Sequence, residues 1–131
     1  MTGVQTCALP IWLIVNPLSL RRSLEGVLLY TLSRAIHEEV QFDGEKVTSR
    51  DWMSHPSLRH ADVPEKIDIV LVNGDPNPTR PDLAPYGGGE AGGKPMMAAV
   101  ANAIYDATGV RIRRIPMRDA RVLAALKAAR V

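Results

Sequence analysis

The residues best suited to chemistry lie in one run, Tyr86-Gly87-Gly88-Gly89-Glu90-Ala91-Gly92-Gly93-Lys94-Pro95. Glycines let a backbone approach a ligand closely and present its N–H groups. A helix that follows such a run adds a positive N-terminal end. Glu90 is the lone carboxylate among these glycines. A carboxylate ionised at neutral pH can take a proton from a neighbouring group. The chemistry on offer is therefore general-base catalysis beside a closely held ligand. The same residues also describe a flexible surface loop with a solvated Glu, and composition alone favours that plainer account.

Two nucleotide-binding patterns occur inside the run, and neither meets its structural condition. Gly87, Gly89 and Gly92 satisfy GxGxxG, but a dinucleotide site needs a strand directly before it, and here the stretch from Pro76 to Pro85 intervenes. Gly88, Gly93 and Lys94 satisfy GxxxxGK, but Pro95 stands where a phosphate loop needs Ser or Thr to hold magnesium. His37, His55 and His60 lack metal-ligand spacing, and His37-Glu38-Glu39 lacks the second His of a zinc helix. No nucleophile elbow is present. Trp12 and Trp52 read as core or lid residues rather than stacking platforms.

The elements that must position Glu90 follow from periodicity. Leu13-Ile14-Val15 is a short strand candidate stopped by Asn16-Pro17. Ser19 is placed to cap a helix over about 19–37, whose apolar face carries Leu20, Leu24, Val27, Leu28, Thr31 and Ala35. Gly26 in its middle costs about 1 kcal/mol relative to Ala, so it marks either close packing on the backbone or plain tolerance. Asp43-Gly44 signals a hairpin joining strands near Glu39–Phe42 and Lys46–Asp51. Ile67-Asp68-Ile69-Val70-Leu71-Val72 begins as a half-buried strand and ends apolar on both faces. Residues 73–95 read as one long loop, which in a compact domain is functional or disordered. A helix then presents Met97, Val100, Ala101, Ile104 and Tyr105 on one face and ends at Gly109. Arg111–Ile115 alternates as a strand, and a last helix spans about 119–129. Strands and helices do not alternate regularly, so the class is α+β.

A chain of 131 residues is long enough for one modest domain with its own core. Hydrophobic content of 46% and charge of 23% are those of a soluble globular protein. With a net charge of +2 and dispersed basic residues, nucleic acid is not indicated as a partner. No apolar run approaches the roughly 18 residues of a membrane span, so no membrane insertion is expected. Residues 1–11 lack the basic start of a secretory signal. They resemble the translation of a common sequencing-library adapter, and a short genuine strand is the alternative. The single Cys, Cys7, falls within them, which rules out an internal disulfide and points to a reducing compartment.

Beyond residue 11, a resemblance adds what pattern alone does not. The Gly-Gly-Glu-Ala of the glycine run is followed by Ala98-Ala99-Val100-Ala101-Asn102-Ala103-Ile104-Tyr105-Asp106-Ala107-Thr108-Gly109-Val110-Arg111-Ile112-Arg113. Together with the tail from Arg121 to Lys127, this resembles the end of the molybdopterin-binding large subunits of the xanthine dehydrogenase/aldehyde oxidase family. Val15-Asn16-Pro17, Leu24-Glu25-Gly26, Asp51-Trp52 and His55-Pro56-Ser57-Leu58-Arg59 fall in the family's order and approximate spacing. The resemblance covers nearly all of 12–131 and implies the C-terminal part of the second molybdopterin-binding domain. It implies a molybdenum cofactor carried on a pterin, and oxidative hydroxylation of a heteroaromatic carbon or an aldehyde with water as oxygen source. It also implies a small-molecule substrate and electron transfer through iron–sulfur clusters, with or without FAD, on partner domains or subunits. Glu90 takes the role of catalytic base, and Gly88 and Gly89 shape the loop beside the cofactor. Ser23 stands where many members carry a cofactor-contacting Gln, and Thr31 where the family has Gly. The resemblance places most cofactor-binding segments and the substrate-orienting residues in parts of the family that precede residue 12, so it implies a piece inactive by itself. It favours the cytoplasm and leaves the periplasm open. The competing accounts from other classes are a non-catalytic α/β interaction module with an unused glycine loop and a phosphate-binding protein.

Overall fold

The computed structural model describes residues 14–72, 82 and 87–129. Residues 1–11, Cys7 among them, Trp12, and most of the proline-rich stretch before Gly87 lie outside that set.

Helix α1, Pro17–Ile36, is the scaffold. Asn16, not Ser19, is its N-cap: the extended Asn16 accepts a hydrogen bond from the Ser19 amide at 2.9 Å. Pro17 then occupies the first helical position, where its missing N–H costs nothing. The expected inner face forms in part, with Val27, Thr31 and Ala35 buried and Leu20, Leu24 and Leu28 half-covered. Ser33 is buried as well, because its hydroxyl accepts the Leu58 amide at 2.8 Å and ties that segment to the helix. Among the described residues nothing approaches within 4 Å of where a Cβ on Gly26 would stand, so Gly26 is not explained by close packing there.

The hairpin forms where expected but is shorter. Strands β1, Phe42–Asp43, and β2, Lys46–Val47, pair antiparallel with Phe42 opposite Val47 and Asp43 opposite Lys46. Asp43 is the last strand residue, and Gly44 takes the first turn position at φ 57°, a conformation that suits Gly. Trp52, expected in the core or a lid, is 83% exposed at a turn that Asp51 organises.

Three expected strands are not strands. Ile14 and Val15 belong to no ladder, and Leu13 is outside the described residues. Ile67–Val72 and Arg111–Ile115 likewise form no strand among the described residues. In the first of these the twofold alternation survives without a ladder: Ile67, Ile69 and Leu71 are half-buried, while Asp68, Val70 and Val72 face outward.

The glycine run is not loop throughout. Gly88–Gly93 forms a short helix, α2, and helix α3, Met96–Thr108, follows after a two-residue turn. Gly109 ends α3 in the left-handed conformation at φ 72°, as its position predicted. The chain then returns across the end of α1, where Met117 donates its amide to the Ala35 carbonyl at 2.7 Å. Helix α4, Asp119–Ala128, closes the described chain. Ala35, Ile112 and Met117 form the core, flanked by Met97, Val100, Ala101 and Ile104 of α3 and Val122 and Ala125 of α4. Tyr105 is exposed instead, with the Arg111 guanidinium 3.9 Å over its ring.

Candidate active site

The site is built on the contact between α1 and α2. Gly93 is buried, and a Cβ placed on it would lie 2.5 Å from Thr31 Oγ1 and 3.1 Å from Val27 Cγ2. Gly89 meets the same helix four residues earlier, where its Cβ position is 3.3 Å from Ser23 Oγ. Residues 23, 27 and 31 share one helical face. The small residues of α2 therefore let two backbones approach, and Gly88, Gly92 and Gly93 are buried as a result.

This contact fixes Glu90. It lies in the first turn of α2, and its side chain is exposed beside α1. Tyr30, seven residues along α1 from Ser23, donates its hydroxyl to Glu90 Oε2 at 3.4 Å. The Arg34 guanidinium sits 4.6 Å over the Tyr30 ring. Of the sequence candidates, Gly89 meets Ser23 on α1, Gly88 is buried in the same short helix, and Glu90 reaches Tyr30 two turns further along α1. The glycines meet α1 as well as shaping what surrounds Glu90, which a reading of them as open loop did not foresee. Tyr30 was missed. Its signal was available as an aromatic donor at i+7 from Ser23, on the helical face that the apolar pattern did not mark.

The other ionic cluster lies elsewhere. Glu39 receives Arg121 at 3.1 Å, with Arg114 and Arg118 each at 3.7 Å. The hydrogen bond from Arg121 and the charges around it hold the Glu39 carboxyl below the usual value. Arg118 also donates to the His37 carbonyl at 2.8 Å and Arg121 to the Pro116 carbonyl at 2.6 Å. These contacts join the C-terminal segment to the end of α1 and are occupied in doing so. Among the described residues no group of three His, Cys, Asp or Glu side chains is placed to hold a metal ion. No helix is long and apolar enough to cross a membrane among them.

No family model matches the chain. It is 37% identical over 114 residues to one of the subunits of a Pseudomonas putida nicotinate dehydrogenase, covering 87% of this chain and 9% of that protein. It is 33% identical to a membrane-bound aldehyde dehydrogenase of Gluconacetobacter polyoxogenes, named for pyrroloquinoline quinone, over 96% of this chain and 16% of the relative. To the molybdenum-binding subunit of an Escherichia coli aldehyde oxidoreductase it is 31% identical, over 79% of this chain and 14% of that relative. The chain thus spans a small part of the length of each. On this similarity it belongs to the xanthine dehydrogenase/aldehyde oxidase family of molybdopterin-binding subunits, of which it is a small fragment.

Proposed function

We propose that this chain is the C-terminal piece of the second molybdopterin-binding domain of an oxidoreductase that hydroxylates a heteroaromatic carbon or an aldehyde, with Glu90 as the base. The observation that carries this is the place of Glu90: an exposed carboxylate on a glycine helix whose orientation is held by α1. The donor set suits a metal carried on an organic ligand better than a protein-ligated ion. One exposed hydroxyl, Ser23, and one exposed carboxylate flank the glycines, and no protein ligand cluster stands near them among the described residues.

When bound, the molybdenum cofactor supplies the redox centre at which the substrate is oxidised. Glu90 accepts a proton at its carboxylate. Ser23 would hold the cofactor through a hydroxyl hydrogen bond, with a shorter reach than the Gln that the family resemblance implies at this position. Gly88 and Gly89 keep the space between α1 and Glu90 free of side chains. The nicotinate dehydrogenase and isoquinoline 1-oxidoreductase relatives are each named as one of several subunits, which supports an assembly with partner subunits. In this reading the partners carry iron–sulfur clusters, with or without FAD.

The test is Glu90→Gln in the complete enzyme that carries this segment. The substitution keeps the shape and removes the basicity. General-base contributions are typically about 10²–10⁴-fold, and turnover should fall by at least that, with molybdenum loading near normal. Turnover within threefold of the parent, with metal retained, refutes the base role. Metal analysis separates the cofactors that the relatives' names offer: pyrroloquinoline quinone in place of molybdenum in the active enzyme refutes the molybdenum reading. This chain purified by itself should hold no stoichiometric molybdenum.

A further inference from the structure

We infer that Tyr30 is a positioning residue for Glu90, holding carboxylate oxygen Oε2 so that Oε1 is left to accept the proton. The inference rests on the reading of Glu90 as the base. Three observations lead to it. Tyr30 Oη donates to Glu90 Oε2 across 60 residues of sequence, a contact that exists only because α2 docks on α1. That docking is tight, since the Cβ positions of Gly89 and Gly93 run into Ser23, Val27 and Thr31 on the same helical face. The Tyr30 ring is in turn covered by the Arg34 guanidinium, one helical turn further on.

The geometry decides what kind of role this is. At 3.4 Å the bond is longer than the usual 2.7–2.8 Å of an O–H···O contact, so its effect is orientation more than strength. An exposed glutamate side chain has several rotamers available to it. One directional donor to one oxygen selects among them and distinguishes the two oxygens. Proton transfer needs the acceptor within about 2.6–3.2 Å of the proton's donor, so selecting the rotamer acts on turnover and leaves substrate affinity alone.

The experiment uses the complete molybdenum-loaded enzyme that carries this segment, with Glu90→Gln, Tyr30→Phe, the double variant, and 4-aminophenylalanine at position 30. That last residue keeps the ring and an N–H donor where the hydroxyl was. Tyr30→Phe should lower kcat by roughly three- to tenfold with KM and molybdenum content unchanged. The 4-aminophenylalanine variant should recover most of the loss, and Tyr30→Phe should add nothing to Glu90→Gln. Crystal structures provide a second readout: the Glu90 carboxylate should hold one orientation in the parent and spread over several in Tyr30→Phe. A Tyr30→Phe enzyme within 1.5-fold of the parent, or a carboxylate unmoved in its structure, overturns the inference while Glu90→Gln still abolishes turnover. If Glu90→Gln itself retains turnover, the base reading fails and this inference fails with it.

Discussion

Gly93→Ala tests the α1–α2 contact directly, because the structure sets two opposed effects against each other. A Gly-to-Ala change in a helix interior favours folding by up to about 1 kcal/mol, and by less at Gly93, the last residue of α2. Against this, the new methyl would stand 2.5 Å from Thr31 Oγ1 and 3.1 Å from Val27 Cγ2. Thr31 cannot simply turn aside. It is buried, its hydroxyl donates to the Val27 carbonyl at 2.7 Å, and β-branched side chains are stiff at χ1. Rotation would break a buried hydrogen bond, at a cost of about 1–3 kcal/mol. Moving α2 outward would instead strain or open the contact, which in cores costs typically about 1–3 kcal/mol. Either route exceeds the helix gain, so a net destabilisation of about 1–3 kcal/mol is expected. Urea unfolding followed by helical circular dichroism should show the midpoint falling by about 1 M at constant slope. Thr31→Ala removes the obstructing hydroxyl, and the Thr31→Ala/Gly93→Ala pair should recover more than half of the loss. A Gly93→Ala midpoint at or above the parent's would refute the reasoning, since it would mean that α2 does not press on α1.

Two further outcomes follow from other surfaces. The Glu39 carboxyl is lowered, first by the hydrogen bond from Arg121, so its contribution to stability is present above the ordinary carboxylate value of 4.5 and is lost as pH falls through the lower folded-state value. Glu39→Gln should therefore melt below the parent at pH 7, with the gap closing in acid; an equal gap at pH 7 and pH 3 would show that charge is not the cause. Trp52 and Met53, 83% and 84% exposed, form apolar surface of the kind that binds hydrophobic dyes. Trp52→Ser/Met53→Ser should reduce dye binding by about half or more with the helical signal kept, and unchanged binding would place the sticky surface elsewhere.

Helices α1, α3 and α4 were legible in the sequence because their signals are local, whereas α2 was read as loop from its glycines. Asn16-Pro17, a glycine at position 109 and apolar residues at spacings of three and four each act within a turn or two of the chain. Even there a choice between neighbours went the wrong way: Ser19 is a good cap residue, but Asn16 stands before a proline that fits the first helical position, and the helix starts one turn earlier. Glu90 stands out by type and by its glycine neighbours, but its contact with α1 does not, because Tyr30 lies 60 residues away and the apolar pattern assigned it no face. The strands show the same limit from the other side. Ile67–Val72 keeps its alternation of covered and uncovered residues, so the sequence encoded which side of the segment faces the protein. A strand also needs a partner, and hydrogen bonding to a partner is a property of two segments rather than of one. Val70 and Val72, 85% and 75% exposed, make that segment apolar on a side that no described residue covers. A twofold period can thus be correct about orientation while remaining silent about pairing, and only the pairing turns an extended segment into sheet.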